Sequence, residues 1–180
     1  MLQITVQATE KYDEKTNTFI YSDEYVLQLE HSLVSISKWE SKWHKPFLSK
    51  EEKTHEETID YIRCMTITQK VPSSVYDNIS HKNIQEVNTY IEDPMTATTI
   101  TKDESAKFNR EIVTAEIIYY WMIALQIPVE FQKWHLNRLL TLIEVCNVKN
   151  GPEKKMTQQE IMARNRALNA QRRKAMNSKG

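Results

Sequence analysis

The stretch Asn109–Asn150, NREIVTAEIIYYWMIALQIPVEFQKWHLNRLLTLIEVCNVKN, decides the fold. It reads as two helices broken at Pro128. Proline lacks an N–H and biases the residue before it away from helix, so the first helix must stop by Ile127. Proline is also welcome in the first turn of the helix that follows. The first helix, Arg110 to Leu125, is apolar on nearly every face, with Ile112, Val113, Ile117, Ile118, Trp121, Met122 and Ile123. A helix of that kind is normally buried. The second, Val129 to Lys149, repeats Leu136, Leu139, Leu140, Ile143 and Cys146, a three- and four-residue spacing that gathers them on one face. Trp121, Met122 and Leu139 are therefore expected in the core. A membrane span needs about 20 apolar residues, and the first helix offers about 14, interrupted by Glu116. It reads as a core helix.

Moving outward, Leu2–Val6 alternates apolar and polar, as does Phe19–Leu29 through Tyr25, Leu27 and Leu29. That period predicts half-buried strands. The polar stretch Tyr12–Thr18 between them reads as a turn, which makes a β-hairpin that must pack on helices to be stable. Leu33–Trp43 has helical spacing in Leu33, Ile36, Trp39 or Glu40, and Trp43, and Pro46 ends it. Ser49 with Glu52 reads as a capping box opening the next helix, whose buried face carries Ile59, Ile62 and Met65. Glu51, Glu52, Glu56 and Glu57 crowd its start, where the helix dipole favours anions and water solvates them. A Pro-Ser-Ser turn follows in Val71–Ser80. Ser80 then caps a short helix with Ile84, Val87 and Ile91 inward, stopped at Glu92-Asp93-Pro94. Met95–Thr101, rich in threonine, reads as a short strand or an extended connection, and Lys102–Lys107 as a polar lead into the central pair.

Gly151-Pro152 marks a linker, because glycine closes a helix and proline follows. Residues 1–150 form the body and 151–180 an arm. Thr157 and Glu160 read as a capping box for a helix from Gln158 to Ala175, rich in alanine and arginine and so of high helix propensity. The whole chain has 24 basic and 24 acidic residues. From 151 to 180 there are eight basic residues against two acidic, a net of +6, which leaves −6 for residues 1–150. The neutral total hides an acidic body and a basic arm. The expected fold class is mainly α with a small N-terminal β-hairpin, an α+β body followed by a basic C-terminal helix.

Composition removes several functions. Two glycines in 180 residues is far below the usual ~7%. No GxGxxG, GxxxxGK[ST] or GxSxG occurs, so enzymes built on phosphate-cradling or nucleophile-elbow loops are excluded. His31, His44, His55, His81 and His135 are scattered without HxxxH or HExxH spacing. Cys64 and Cys146 stand apart; they could pair in space, but a reducing cytoplasm is the simpler reading. The N-terminus shows neither the basic nor the apolar region of a signal peptide. The chain reads as a non-enzyme without cofactor or metal.

Two features point to partners. Trp39, Trp43 and Phe47 interleave with Lys38, Lys42 and Lys45. Such a cluster is either a stacking platform or protein hot spot, with Trp39 and Trp43 as contacts, or a core-facing pair with lysines on the wet side. The arm is too thinly apolar to bury much of itself. Arg164, Arg166, Arg172 and Arg173 are its candidate partner contacts. They can serve a protein partner, the protein's own body or a second copy, while the acidic body disfavours nucleic acid.

Ser35–Phe47 (SISKWESKWHKPF), Trp134–Asn147 (WHLNRLLTLIEVCN) and Glu160–Arg173 (EIMARNRALNAQRR) together resemble the tail assembly chaperones of long-tailed bacteriophages. The resemblance implies a non-enzymatic protein of the infected host's cytoplasm. It would coat the tape-measure protein, recruit tail-tube subunits and then leave, with self-association possible and no membrane involved. A longer form made by ribosomal frameshifting is common in that family. Two alternatives stand beside it: a structural virion component such as a tail-completion or baseplate protein, and a small nucleic-acid-binding protein using the arm.

Overall fold

A computed structural model describes residues 1–13, 17–99, 112–150 and 158–175. The fold is mainly helical with a small antiparallel sheet at the N-terminus, as the patterning requires. Two units are distinguished, Met1–Val148 and Lys149–Gly180.

In the first unit, β1 (Leu2–Val6) pairs antiparallel with β4 (Tyr25–Leu29), from Leu2↔Leu29 to Val6↔Tyr25. Ile4, Val6, Leu27 and Leu29 point inward and are buried, which is the period-two pattern that alternation encodes. The expected turn between them is different. It is a second hairpin, β2 (Thr9–Asp13) with β3 (Thr18–Ser22). Phe19–Leu29 is thus two strands, broken at Asp23-Glu24. Tyr12, Phe19 and Tyr21 have the strand preference of aromatic residues, and this outweighs the polar composition around them. Asn17 supplies a positive φ of 55°, a conformation asparagine tolerates.

Helices α1 (Leu33–Trp43) and α2 (His55–Met65) pack on each other, while α4 (His81–Glu92) packs on β1 of this sheet. Helix α1 (Leu33–Trp43) is capped by Ser32 with Ser35 and ends at His44, whose left-handed φ of 53° returns its N–H to the Glu40 carbonyl. Helix α2 (His55–Met65) starts later than Ser49 predicts. Its cap is Thr54, and Glu57 completes the capping box. Both Ser49-x-x-Glu52 and Thr54-x-x-Glu57 match the motif; Glu57 wins because it is also buried and paired, as described below. After α2 the chain runs beside β4, with Glu30 N–H donating to the Met65 carbonyl at 3.0 Å and Ile67 N–H to the Gln28 carbonyl at 2.8 Å. The Pro-Ser-Ser turn contains a single helical turn, α3 (Ser73–Tyr76). Helix α4 (His81–Glu92) is capped by Ser80 as expected, with Asn83 as its partner. Asn83 also donates to the Thr5 carbonyl at 3.1 Å and so covers the outer edge of β1. Val87 and Tyr90 are buried, while Ile84 and Ile91 are half-buried. No strand forms in residues 95–99; Ile100, Thr101 and the Lys102–Lys107 connection lie outside the described residues.

The central pair is α5 (Ala115–Ala124), a 3₁₀ turn over Val129–Lys133, and α6 (Leu136–Asn150). The break falls at Pro128, but the expected second helix starts seven residues later than read, at Leu136. Leu136, Leu139 and Ile143 form the buried stripe, with Leu140 and Cys146 half-buried. In α5 only Ala115, Ile118 and Met122 are buried. The fully buried helix predicted from its composition is not what forms, and Trp121 is half-buried rather than core.

In the second unit, α7 spans Gln158–Ala175, the bounds expected from propensity and spacing. Gly151-Pro152 and Thr157 lie outside the described residues. Among the described residues, no helix is long and apolar enough to cross a membrane.

Candidate functional site

The aromatic–basic cluster between α1 and α2 is a structural clamp. Trp39 is 1% exposed and its indole N–H donates to the Glu57 carbonyl at 3.0 Å. Its ring stacks on Trp43 at 6.1 Å and meets Phe47 edge-on at 5.2 Å. Trp43, half-buried, donates to Asp60 Oδ2 at 2.9 Å. Lys42 bonds Asp60 Oδ1 at 2.5 Å and Lys45 bonds Glu57 Oε1 at 2.6 Å. Glu57 and Asp60 are buried, so the acidic run is not wholly a solvated helix start. The Lys45 ammonium, with the Thr54 N–H, holds the Glu57 carboxyl below its usual range, and Glu57 in turn raises Lys45. The core-facing reading is therefore correct for Trp39 and Phe47. Trp39 is not available as a partner contact; Trp43 keeps an exposed part.

Glu40, which the spacing of α1 offers only as an alternative to Trp39, proves central. Although 7% exposed, its carboxylate accepts from Phe47 N–H at 2.7 Å and from Ala115 N–H at 2.8 Å. Thr114, in the N-cap position of α5, makes no side-chain cap bond. Glu40 of α1 thus caps α5 from across the fold, satisfying a helix-end donor and favouring the positive end of its dipole.

His31 and His135 lie buried with ring centroids 5.1 Å apart. The Tyr61 hydroxyl is 2.5 Å from His31 Nδ1. His135 Nε2 donates to the Tyr90 carbonyl at 3.0 Å, leaving its Nδ1 buried without a partner. Tyr90 donates to Glu30 Oε1 at 2.7 Å, and Glu30 Oε2 bonds the Met1 ammonium. The arrangement ties β4, α2, α4 and α6 together. Burial, then repulsion from His135, depresses His31 to a pKa of about 3. Burial also lowers His135, against the Tyr90 and Glu30 interactions that raise it. An unfolded histidine takes its proton near pH ~6.5, so between that value and about 3 the unfolded chain binds more protons. Stability then falls with falling pH, by on the order of 1 kcal/mol per pH unit per proton. Urea midpoints should drop steadily from pH 7 to pH 5, above the range in which Glu57 and Asp60 titrate. His31→Gln should be less stable at pH 7 but flatter in pH. A wild-type midpoint constant over that interval would contradict the role given to the pair.

Two surfaces that the sequence did not reveal are exposed. On the outer side of α5, Tyr120 and Ile123 are 67% and 76% exposed. Trp121 of the same helix lines a groove of about 710 Å³ together with Leu48, Lys50, Glu51, Ile112 and Leu140 among others. On the β2–β3 hairpin, the register Glu10↔Tyr21 and Tyr12↔Phe19 puts these four residues on one face. Tyr12 and Phe19 lie 5.1 Å apart, and Tyr12, Phe19 and Tyr21 are all exposed. In α7 every described side chain from Met162 to Arg173 is exposed, Arg164, Arg166, Arg172 and Arg173 included. Among the described residues no group of three or more His, Cys, Asp or Glu is placed to hold a metal, and both cysteines are free thiols.

No protein-family model, curated protein or solved structure matches the chain.

Proposed function

We propose that this protein is a tail assembly chaperone of a long-tailed bacteriophage, acting without catalysis in the cytoplasm of the infected host. Its clients on this reading are the tape-measure protein, the tail-tube subunit or both. The resemblance of Ser35–Phe47, Trp134–Asn147 and Glu160–Arg173 motivates the identity. The observation that carries a client-binding role is helix α5, where Tyr120 and Ile123 are exposed and Trp121 lines a largely apolar groove. Apolar faces of that kind mark interaction sites on proteins that otherwise bury such residues. The exposed arginines of α7 add recognition of an acidic helical client. Each exposed ion pair contributes about 0–1 kcal/mol, so the effect is collective.

The test is co-expression of the full-length protein with the tape-measure protein and the tube subunit encoded beside it. Copurification at moderate salt is expected, with a clear loss in Arg166→Glu/Arg173→Glu. The protein should be absent from purified virions. Its presence there at fixed stoichiometry makes it a virion component such as a tail-completion or baseplate protein. Failure to copurify either client removes the chaperone reading.

A further inference from the structure

One face of the β2–β3 ribbon gathers Glu10, Tyr12, Phe19 and Tyr21. Their rings form a ladder, with centroids 5.1 Å apart from Tyr12 to Phe19 and 6.5 Å from Phe19 to Tyr21. Tyr12, Phe19 and Tyr21 are 51%, 56% and 71% exposed, and Glu10 is exposed with them. The polar atoms of this face all have one sense. The Tyr12 hydroxyl donates to the Asn17 amide oxygen. The Tyr21 hydroxyl donates to the Glu10 carboxylate, which raises the Tyr21 pKa above its usual value. Both phenolic protons are therefore used within the ribbon. The four side chains turn outward phenolic oxygens, a carboxylate and ring faces, which are acceptors and negative π-density without a donor. Asp23 and Glu24, exposed where β3 hands over to β4, have the same sign. Residues 7–24 hold five acidic against two basic residues, a net of −3.

That chemistry narrows what can cover the ladder. A second copy of the same face would set acceptors against acceptors and carboxylates against negative ring faces. A nucleic acid or an acidic segment is repelled. A purely apolar strip would bury the Glu10 carboxylate and the phenolic oxygens with no donor to meet them. A guanidinium meets every requirement. It has five donors and no acceptor, a charge opposite to that of Glu10, a plane that stacks on aromatic rings and an aliphatic stem that lies along them. We infer that the Tyr12–Phe19–Tyr21 face docks an arginine-bearing segment of a partner protein, with guanidinium groups on the rings and one paired to Glu10. A two-stranded ribbon is marginal alone, so covering this face also makes the ribbon more rigid. The inference does not rest on the tail-assembly reading, whose client contacts lie on α5 and α7.

Full-length protein is titrated into fluorescein-labelled octa-arginine at physiological ionic strength, where distant charges are screened, and binding is followed by anisotropy. Octa-arginine should bind several-fold tighter than octa-lysine, because an ammonium lacks the stacking plane. Tyr12→Thr/Phe19→Thr keeps the net charge and the strand preference. It should weaken octa-arginine about tenfold or more, through the loss of two cation–π contacts. Glu10→Gln keeps the ladder and should also weaken binding, which preserves the test if the double variant frays. Glu52→Gln removes the same charge from an exposed site outside the ribbon and should bind as wild type does. Amide exchange in Thr9–Asp13 and Thr18–Ser22 should slow in the complex. Octa-arginine that does not bind wild type, binds no better than octa-lysine, or keeps its affinity in both ribbon variants overturns the inference. Two other outcomes overturn it by naming a different occupant. One is a wild-type dimer in sedimentation that Tyr12→Thr/Phe19→Thr abolishes, which assigns the face to a second copy. The other is tighter binding of oligothymidylate than of octa-arginine, lost in the same variant, which assigns it to nucleic acid.

Discussion

Glu40→Ala should lower the unfolding free energy by about 3–5 kcal/mol, since it strips a charged acceptor from two buried N–H groups. One belongs to Phe47 and one to Ala115, at the start of α5. The loss has two parts. The loop behind α1 loses its anchor, and α5 loses the carboxylate that caps it. Glu40→Gln separates them from simple packing. It keeps the shape and one acceptor oxygen but turns an amide NH₂ toward the other donor, so an intermediate loss is expected. Urea unfolding of both variants, followed by helix content and by tryptophan fluorescence, measures this. If Glu40→Ala lost no more than about 0.5 kcal/mol, the range of ordinary surface changes, the cap would be dispensable.

Leu139→Ala should cost about 2–5 kcal/mol through lost transfer energy and the cavity left behind. Leu139 is fully buried on the α6 stripe. Leu140→Ala, one position round and half-buried on the groove wall, should cost clearly less. Equal losses at the two positions would mean that the buried face of α6 is misassigned.

These two residues differ in how visible they were. Leu139 was legible because a stripe at helical spacing is a property of one helix. The same holds for the periodicity of α1, the Ser80 cap of α4 and the span of α7, which are local. Glu40 was not, because its meaning depends on Ala115, which lies far along the chain. Glu57, Asp60 and Asn83 are alike: each reads as a polar helix residue until Lys45, Trp43 or the Thr5 carbonyl is brought beside it. The expected α2 start differs from the observed one because two neighbouring Ser/Thr-x-x-Glu motifs, Ser49–Glu52 and Thr54–Glu57, satisfy the same rule, and only burial separates them. The exposure of α5 failed for a different reason. Composition records that a helix prefers to be covered, but not whether its own chain does the covering. For the candidate site, the arginines and the helix bearing them were readable, whereas the groove and the aromatic hairpin face required the tertiary structure.

The pairing of β1 with β4 has an architectural consequence. Their register is set residue for residue by core-facing Ile4, Val6, Leu27 and Leu29. To that ladder, everything from Gln7 to Glu24 is merely a loop joining two fixed ends. Lengthening such a loop adds closure entropy only logarithmically, about 0.6 kcal/mol per doubling. The β2–β3 ribbon is therefore a graftable module. It can be shortened, extended or rewritten while the β1–β4 register keeps its place.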